Sequence, residues 1–136
     1  MSERRTGALM LAWAGVLLAG ALAAWLRYQL VEPPALAERC AAAIDPPAWC
    51  ALRTRVVEGF LNNSFGYLAL AVTALAWLRQ RLWTAALAAA LGAFALELYC
   101  YQSGALALLA GAVLLVRDAA RREQHGRAEQ HAQPQP

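Results

Sequence analysis

Residues 27–58 read RYQLVEPPALAERCAAAIDPPAWCALRTRVVE and form a polar interval between two long apolar runs. The interval carries four arginines, three glutamates, one aspartate and two of the chain's three cysteines. On either side of it, residues 6–26 and 59–78 contain no charged side chain. Because a helix rises about 1.5 Å per residue, runs of about 20 residues cross a hydrocarbon core about 30 Å thick. The sequence therefore predicts a membrane protein with one substantial extramembrane segment.

The composition supports this prediction and excludes several soluble functions. Of the 136 residues, 60% are hydrophobic, against about 45–50% in an ordinary soluble domain. The basic charge comes from arginine alone, since the chain has no lysine, which rules out Schiff-base and P-loop lysine chemistry. The arginines flank the apolar runs, so a positive-inside bias explains them better than nucleic-acid binding does. We therefore expect the lipid bilayer, and no nucleic acid, as a partner.

Four transmembrane helices account for the apolar runs, over about residues 6–27, 59–79, 81–98 and 101–118. Residues 82–116 are too long for one span, Glu97 interrupts them, and the polar residues near 98–104 suit a turn. The predicted fold class is an all-α membrane protein, one domain over residues 1–136, with a disordered tail over about 124–136. The alternative for the first helix is a cleaved signal peptide, because residues 21–23 read Ala-Leu-Ala.

The distribution of arginine predicts the orientation of the chain in the membrane. With both termini inside, eight arginines lie at the cytoplasmic ends and four lie outside. This asymmetry favours an N-in, C-in topology, with loop 28–58 on the periplasmic side of a bacterial inner (plasma) membrane. The inner arginines are Arg4, Arg5, Arg79, Arg81, Arg117, Arg121, Arg122 and Arg127, and the outer ones are Arg27, Arg39, Arg53 and Arg55.

The outer loop is predicted to form a short helical cap closed by a disulfide between Cys40 and Cys50. Paired prolines at 33–34 and 46–47 break the chain into two short helices with one cysteine each. In an oxidising compartment such a pair bridges, which gains about 3 kcal/mol in the chain-entropy model. A redox-active pair is the alternative, although the spacing differs from C-x-x-C. The loop has no histidine, so we expect no metal site.

Cys100 is placed by this topology on the same membrane face as the pair. As a buried residue it would act as a small hydrophobic side chain. As a reactive third thiol it could resolve the Cys40–Cys50 bond by exchange. Both interpretations stay open at the level of sequence.

Glu97 is the only acid inside an apolar run, and such acids usually face the bundle interior with a partner. We expect Arg53 or Arg55 to pair with it, which would tie the loop to the bundle. The alternative is a proton or substrate site. The predicted outer polar cluster consists of Arg53, Arg55, Glu58, Asn62, Glu97 and Tyr101.

No catalytic constellation is visible, because both histidines lie in the polar tail and no glycine-rich phosphate loop follows a strand. We therefore assign no catalytic residue and no cofactor. Small residues such as Ala107 and Gly111 suit close packing within the bundle, or against other membrane subunits. The sequence favours a non-enzymatic accessory or assembly subunit of a membrane complex. The alternatives are a thiol–disulfide or quinone-linked redox protein, and a small transporter.

Overall fold

The computed structural model describes residues 2–132, and the side chains of residues 6–128. The described chain is all-helical, as predicted, and contains no strand. Helix α1, Ser2–Leu26, continues into a π-helix, Arg27–Val31, and is followed by α2, Pro34–Ala42, and α3, Ala48–Leu61. Three further helices complete the fold: α4, Ser64–Arg79, α5, Leu82–Glu97, and α6, Tyr101–Ala132.

Helix α5 is the centre of the bundle and packs against α1, α4 and α6. Its interior positions are almost all alanine, and Ala85, Ala88, Ala89 and Ala95 are at most 2% exposed. Because alanine presents only a methyl group, three helices can approach α5 closely from different sides. Larger core side chains include Leu82 at the start of α5 and, from the neighbouring α6, Leu115, which is fully buried.

Glycines bring the backbones of α5 and α6 into direct contact. A Cβ placed on Gly111 would lie 2.5 Å from the backbone nitrogen of Ala89, and one on Gly104 would lie 2.5 Å from that of Leu96. Ala107, between the two glycines, is fully buried. The small residues expected at 107 and 111 therefore pack inside the bundle, which is how small residues act between helices in lipid.

The helix ends differ from the prediction at two places. The predicted helix 59–79 is broken, because Asn63 adopts a left-handed conformation with φ 53° and α3 and α4 meet at a bend of 64°. Asparagine tolerates this conformation better than most residues. Helix α6 runs past the predicted end at 118 and reaches Ala132, so it includes the first part of the predicted tail. The rest of the predicted tail, residues 133–136, lies outside the described residues.

Two helical segments of the described chain are long and apolar enough to cross a membrane, Thr6–Val31 and Tyr101–Ala128. A third crossing is possible if the bent α3–α4 pair counts as one span. Helices α4 and α5 have 16 residues each, which corresponds to about 24 Å at 1.5 Å per residue. The structure therefore supports two or three candidate spans, where the sequence predicted four.

Candidate functional site: the polar cluster beside the helical cap

Helices α2 and α3 form the helical cap that the sequence predicted between the first two apolar segments, and we use that name for residues 34–61. Cys40 of α2 and Cys50 of α3 are joined by a disulfide, with their Cα atoms 5.7 Å apart. Cys50 is buried. The predicted bridge is thus present, and it closes the connection between the two cap helices.

A π-helical turn joins α1 to the cap. Its i→i+5 hydrogen bond runs from the Glu32 N–H to the Arg27 carbonyl, at 2.9 Å. In an α-helix, residues five apart are rotated by about 140° around the axis, so their side chains would diverge. The wider turn brings Glu32 and Arg27 onto one face. Such π-helical turns occur frequently at functional sites.

Arg53 of α3 holds this turn in place. Its guanidinium donates from Nε to the Leu30 carbonyl at 3.1 Å and from a terminal nitrogen to the Val31 carbonyl at 3.2 Å. Carbonyl groups at the end of a helix lack partners in the helix itself, and a cation there also interacts favourably with the helix dipole. Arg53 therefore fastens the cap to the end of α1.

Arg27, Glu32 and Tyr99 form a closed set of contacts, which we call the Arg27 cluster. Arg27 Nε donates to Glu32 Oε1 at 2.9 Å, and the Tyr99 hydroxyl donates to the same oxygen at 2.8 Å. The guanidinium carbon lies 4.2 Å from the centre of the Tyr99 ring, within cation–π range. Arg27 also donates to the backbone carbonyl of Glu97 at 3.3 Å. The cluster thereby joins the end of α1 to the end of α5.

Tyr99 lies in the tight connection between α5 and α6 and has φ 66°. A bulky residue in this region is an outlier, and such strain costs on the order of 1–3 kcal/mol. Its ring lies 5.4 Å from that of Phe60 in the cap and 6.1 Å from that of Tyr101, centre to centre. The cap, the π-helical turn and the α5–α6 connection together hold Tyr99 in this conformation.

The hydrogen bonds fix the protonation states of the cluster. The pKa of the Glu32 carboxyl is lowered, first by the hydrogen bond from Arg27 and then by the one from Tyr99. The pKa of the Tyr99 hydroxyl is raised, chiefly because it donates its proton to Glu32. At neutral pH, Glu32 is therefore ionised and Tyr99 is protonated, which is the combination that the observed hydrogen bonds require.

The expected ion pair between Glu97 and Arg53 or Arg55 does not form. Among the side chains described, the ion pairs are Arg27–Glu32 and Arg122–Asp118. Arg53 is engaged by the π-helical carbonyls instead, and Arg55 is exposed. Glu97 takes part through its backbone carbonyl, not through its carboxylate. Polar side chains do connect this end of α1 to the bundle, as expected, but they are Arg27, Glu32 and Tyr99.

The other predicted cluster residues lie around this link rather than in it. Glu58 and Asn62 are exposed, and Asn62 ends α3 by donating its backbone N–H to the Glu58 carbonyl at 3.0 Å. Tyr101 is 57% exposed, and its ring forms a T-shaped pair with that of Tyr99. The neighbouring Asn63, not Asn62, bonds to the bundle, because its side-chain oxygen accepts from Ser103 at 3.2 Å.

Cys100 is buried in an apolar cluster and is the free cysteine of the described chain. Its buried neighbours are Ala69, Ala95 and Ala107, with Phe60 and Phe65 packed against them. Neither bridged cysteine belongs to this cluster. This environment is that of a small hydrophobic side chain.

No group of three or more histidine, cysteine or acidic side chains in the described part of the chain could hold a metal ion. No family model, no curated protein and no solved structure matches this chain. The function must therefore be inferred from the geometry of the chain itself.

Proposed function

We propose that this is a four-span protein of the bacterial inner (plasma) membrane, with both termini in the cytoplasm and residues 28–58 in the periplasm. We further propose that it acts as a non-enzymatic accessory or assembly subunit of a membrane complex. The observation that carries the second proposal is an open face on α1. A Cβ on Gly15 would meet nothing within 4 Å, whereas one on Gly104 or Gly111 would meet the backbone of α5.

The distribution of side-chain size supports the membrane placement. Large apolar residues lie on the outside of the bundle, where Leu17 is 73%, Leu18 is 70% and Leu109 is 64% exposed. The buried positions are mostly alanine and glycine, with Leu98 and Leu115 as the largest fully buried side chains. In lipid, large apolar side chains gain nothing by leaving the acyl chains, so small residues occupy the helix contacts.

The length of α4 and α5 bears on the number of spans. Each is about 24 Å long, which is about 6 Å less than a typical hydrocarbon core. Arg79 and Arg81 flank the turn between them, and arginines at helix ends extend their charged groups to the interface. Local thinning of the bilayer compensates a short hydrophobic stretch at modest cost. The flanking arginines and the modest length mismatch support a crossing α4–α5 hairpin.

The satisfied interior supports a role without catalysis or transport. The buried polar side chains include Thr73, which donates to the Ala69 carbonyl at 2.7 Å, and Ser103, which bonds to Asn63. In the described chain, no buried side-chain nitrogen or oxygen lacks a partner. A redox role would need Cys100, which is buried among alanines, and a transport role would need Glu97, which lies at the end of α5 rather than within it.

On α1, Ala14 and Gly15 leave a shallow gap between the exposed Leu11 and Leu18. Residues three and four apart share a helix face, so all four lie on one side. A transmembrane helix of a partner subunit can approach closely at such a gap. The proposed contact therefore uses a face that the bundle itself leaves unused.

Site-specific photocrosslinking in cells tests this role. A photoreactive residue in place of Leu18 should give one discrete protein adduct, and Gly15→Leu should abolish it without loss of the fold, because the site has space. A photoreactive residue in place of Leu109, which is similarly exposed on α6, is the matched control and should react with lipid only. Lipid adducts alone at both positions would refute the accessory role.

A further inference from the structure

A depression lies at the end of the bundle opposite the cap, between the α4–α5 turn and α6. Its floor is apolar, since Ala85 and Leu114 are buried. Its rim is cationic, with three exposed arginines from two different parts of the chain. The lining residues are Gln80, Arg81, Ala85, Leu114, Arg117, Asp118 and Arg121.

Internal bonds fix the shape of the depression. Gln80 adopts a left-handed conformation with φ 45°, which ends α4. Its side-chain oxygen accepts from Arg121 at 2.8 Å, so the turn is tied to α6. Asp118, the one acid in the lining, is paired with Arg122. The negative charge of Asp118 is therefore already neutralised by Arg122, one turn further along α6.

Two arginines remain available to a ligand. Arg81 and Arg117 form no side-chain hydrogen bond or ion pair with the side chains described, and both are exposed. Arginine presents a planar fork of donors that matches the oxygens of a phosphate group. The two side chains line one depression, Arg81 from the α4–α5 turn and Arg117 from α6, and thus offer donors to a single anionic group.

We propose that this depression binds the phosphate group of an anionic phospholipid, with Arg81 and Arg117 as the main ligands. A lipid fits better than free phosphate, because exposed apolar side chains adjoin the lining residues along the chain and can contact an acyl chain: Leu78 (83% exposed) precedes the α4–α5 turn, and Val116 (59% exposed) precedes Arg117. Basic pockets between transmembrane helices on the cytoplasmic side bind acidic head groups in this way. The proposal rests on the membrane placement given above, but not on the partner subunit.

Native mass spectrometry of the purified full-length protein tests the site. Released from mixed vesicles of phosphatidylcholine and phosphatidylglycerol, the protein should retain phosphatidylglycerol preferentially. Each arginine near the membrane surface contributes on the order of a five-fold factor in affinity, so Arg81→Gln with Arg117→Gln should weaken retention about 25-fold. Six inner arginines remain in this variant, so the orientation bias persists.

Arg127→Gln is the matched control, because Arg127 is exposed on the same helix but does not line the depression. It should retain phosphatidylglycerol like the wild type. Equal retention of phosphatidylcholine and phosphatidylglycerol, or an unchanged double variant, would overturn the proposal. So would displacement of the lipid by millimolar inorganic phosphate, since that would identify a site for the free anion.

If the double variant loses its helical signal, Arg81→Lys with Arg117→Lys replaces it, since lysine keeps the charge but loses the planar fork. This variant should show an intermediate loss of lipid, and retention equal to the wild type would contradict the assigned ligands. Because binding is measured on the isolated protein, a failure here is distinct from a failure to find a partner subunit in cells.

Discussion

Replacing Gly111 with alanine should destabilise the bundle, whereas the same replacement at Gly15 should not. The new Cβ at position 111 would lie 2.5 Å from the backbone nitrogen of Ala89 and 2.8 Å from its Cα. Ordinary contacts of this kind are about 3.5–4 Å, so α6 would have to move by about 1 Å. The backbone atoms of a packed helix cannot move aside to relieve the contact, whereas the end of a flexible side chain could.

The magnitude follows from two opposing effects. Overpacking of a well-packed core costs about 1–3 kcal/mol, while glycine to alanine within a helix gains about 0.5–1 kcal/mol. The helical gain is common to both positions, because each lies inside a helix. The difference between Gly111→Ala and Gly15→Ala in the free energy of unfolding should therefore be about 1–3 kcal/mol.

The assay is titration of the detergent-solubilised protein with sodium dodecyl sulfate, followed by circular dichroism and tryptophan fluorescence. Gly104→Ala should behave like Gly111→Ala, because its Cβ would lie 2.5 Å from the backbone nitrogen of Leu96. A Gly111→Ala midpoint equal to or above that of Gly15→Ala would refute the close α5–α6 contact.

Three further outcomes concern the cap end of the bundle. Removing the disulfide by Cys40→Ser with Cys50→Ser should destabilise the cap by about 3 kcal/mol, seen as faster hydrogen exchange over residues 34–57. Unchanged exchange would contradict this role, and Cys100→Ser is the control with the bridge intact. Arg53→Gln should speed hydrogen exchange at residues 30–36, since hydrogen bonds from a charged donor contribute about 1.5–3 kcal/mol each. Arg55→Gln loses no observed bond and should leave exchange at these residues unchanged. Equal exchange rates in the two variants would rule out the capping of the π-helical turn by Arg53. The Arg27 cluster should be most stable between the titrations of Glu32 and Tyr99. Because the pKa of Glu32 is lowered, its contribution to stability is complete above the ordinary pKa of 4.5 and is lost as the pH falls below that value. Because the pKa of Tyr99 is raised, its contribution is complete below the ordinary pKa of 10.0 and is lost as the pH rises above that value. Fluorescence of Trp25 and Trp49 should follow both limits, and Glu32→Gln should remove the acid transition; an acid transition that persists in this variant would exclude Glu32 as its source.

The cap and its disulfide could be predicted because their signals are local. Paired prolines mark where the short helices begin, and a ten-residue separation places Cys40 and Cys50 on adjacent helices. The apolar core was predictable for a related reason, since runs of alanine and leucine without charge have no stable place outside a buried or lipid environment.

The Arg27 cluster could not be predicted in the same way. It depends on a π-helical turn, which places Glu32 over Arg27 although an α-helix would separate them, and on the left-handed conformation of Tyr99. The sequence indicates only which charges lie near the same membrane face, and on that basis it predicts that Arg53 or Arg55 pairs with Glu97. Arg53 instead donates to backbone carbonyls at the end of the π-helix. These acceptors cannot be identified from the pattern of charged side chains. A signal that was present is the Arg-x-x-x-x-Glu spacing directly before two prolines.

The break between α3 and α4 and the length of α6 also depend on structure beyond the apolar pattern. Asn63 ends one helix and starts the next through its backbone conformation, inside a stretch that has no charge. Helix α6 continues because its polar segment supports itself, for example through the Asp118–Arg122 pair one turn apart. Hydropathy alone marks where a helix leaves the apolar region, not where it ends.

We propose a four-span bundle with the cap outside and the α4–α5 turn inside. Labelling of single cysteines with a membrane-impermeant maleimide tests it most directly, in a Cys100→Ser background that removes the free thiol. Three exposed positions, Arg55→Cys, Gln80→Cys and Glu123→Cys, report on the cap, the turn and α6. Intact cells should label only at position 55, and positions 80 and 123 should react after permeabilisation. Labelling of position 80 in intact cells, together with position 55, would contradict it.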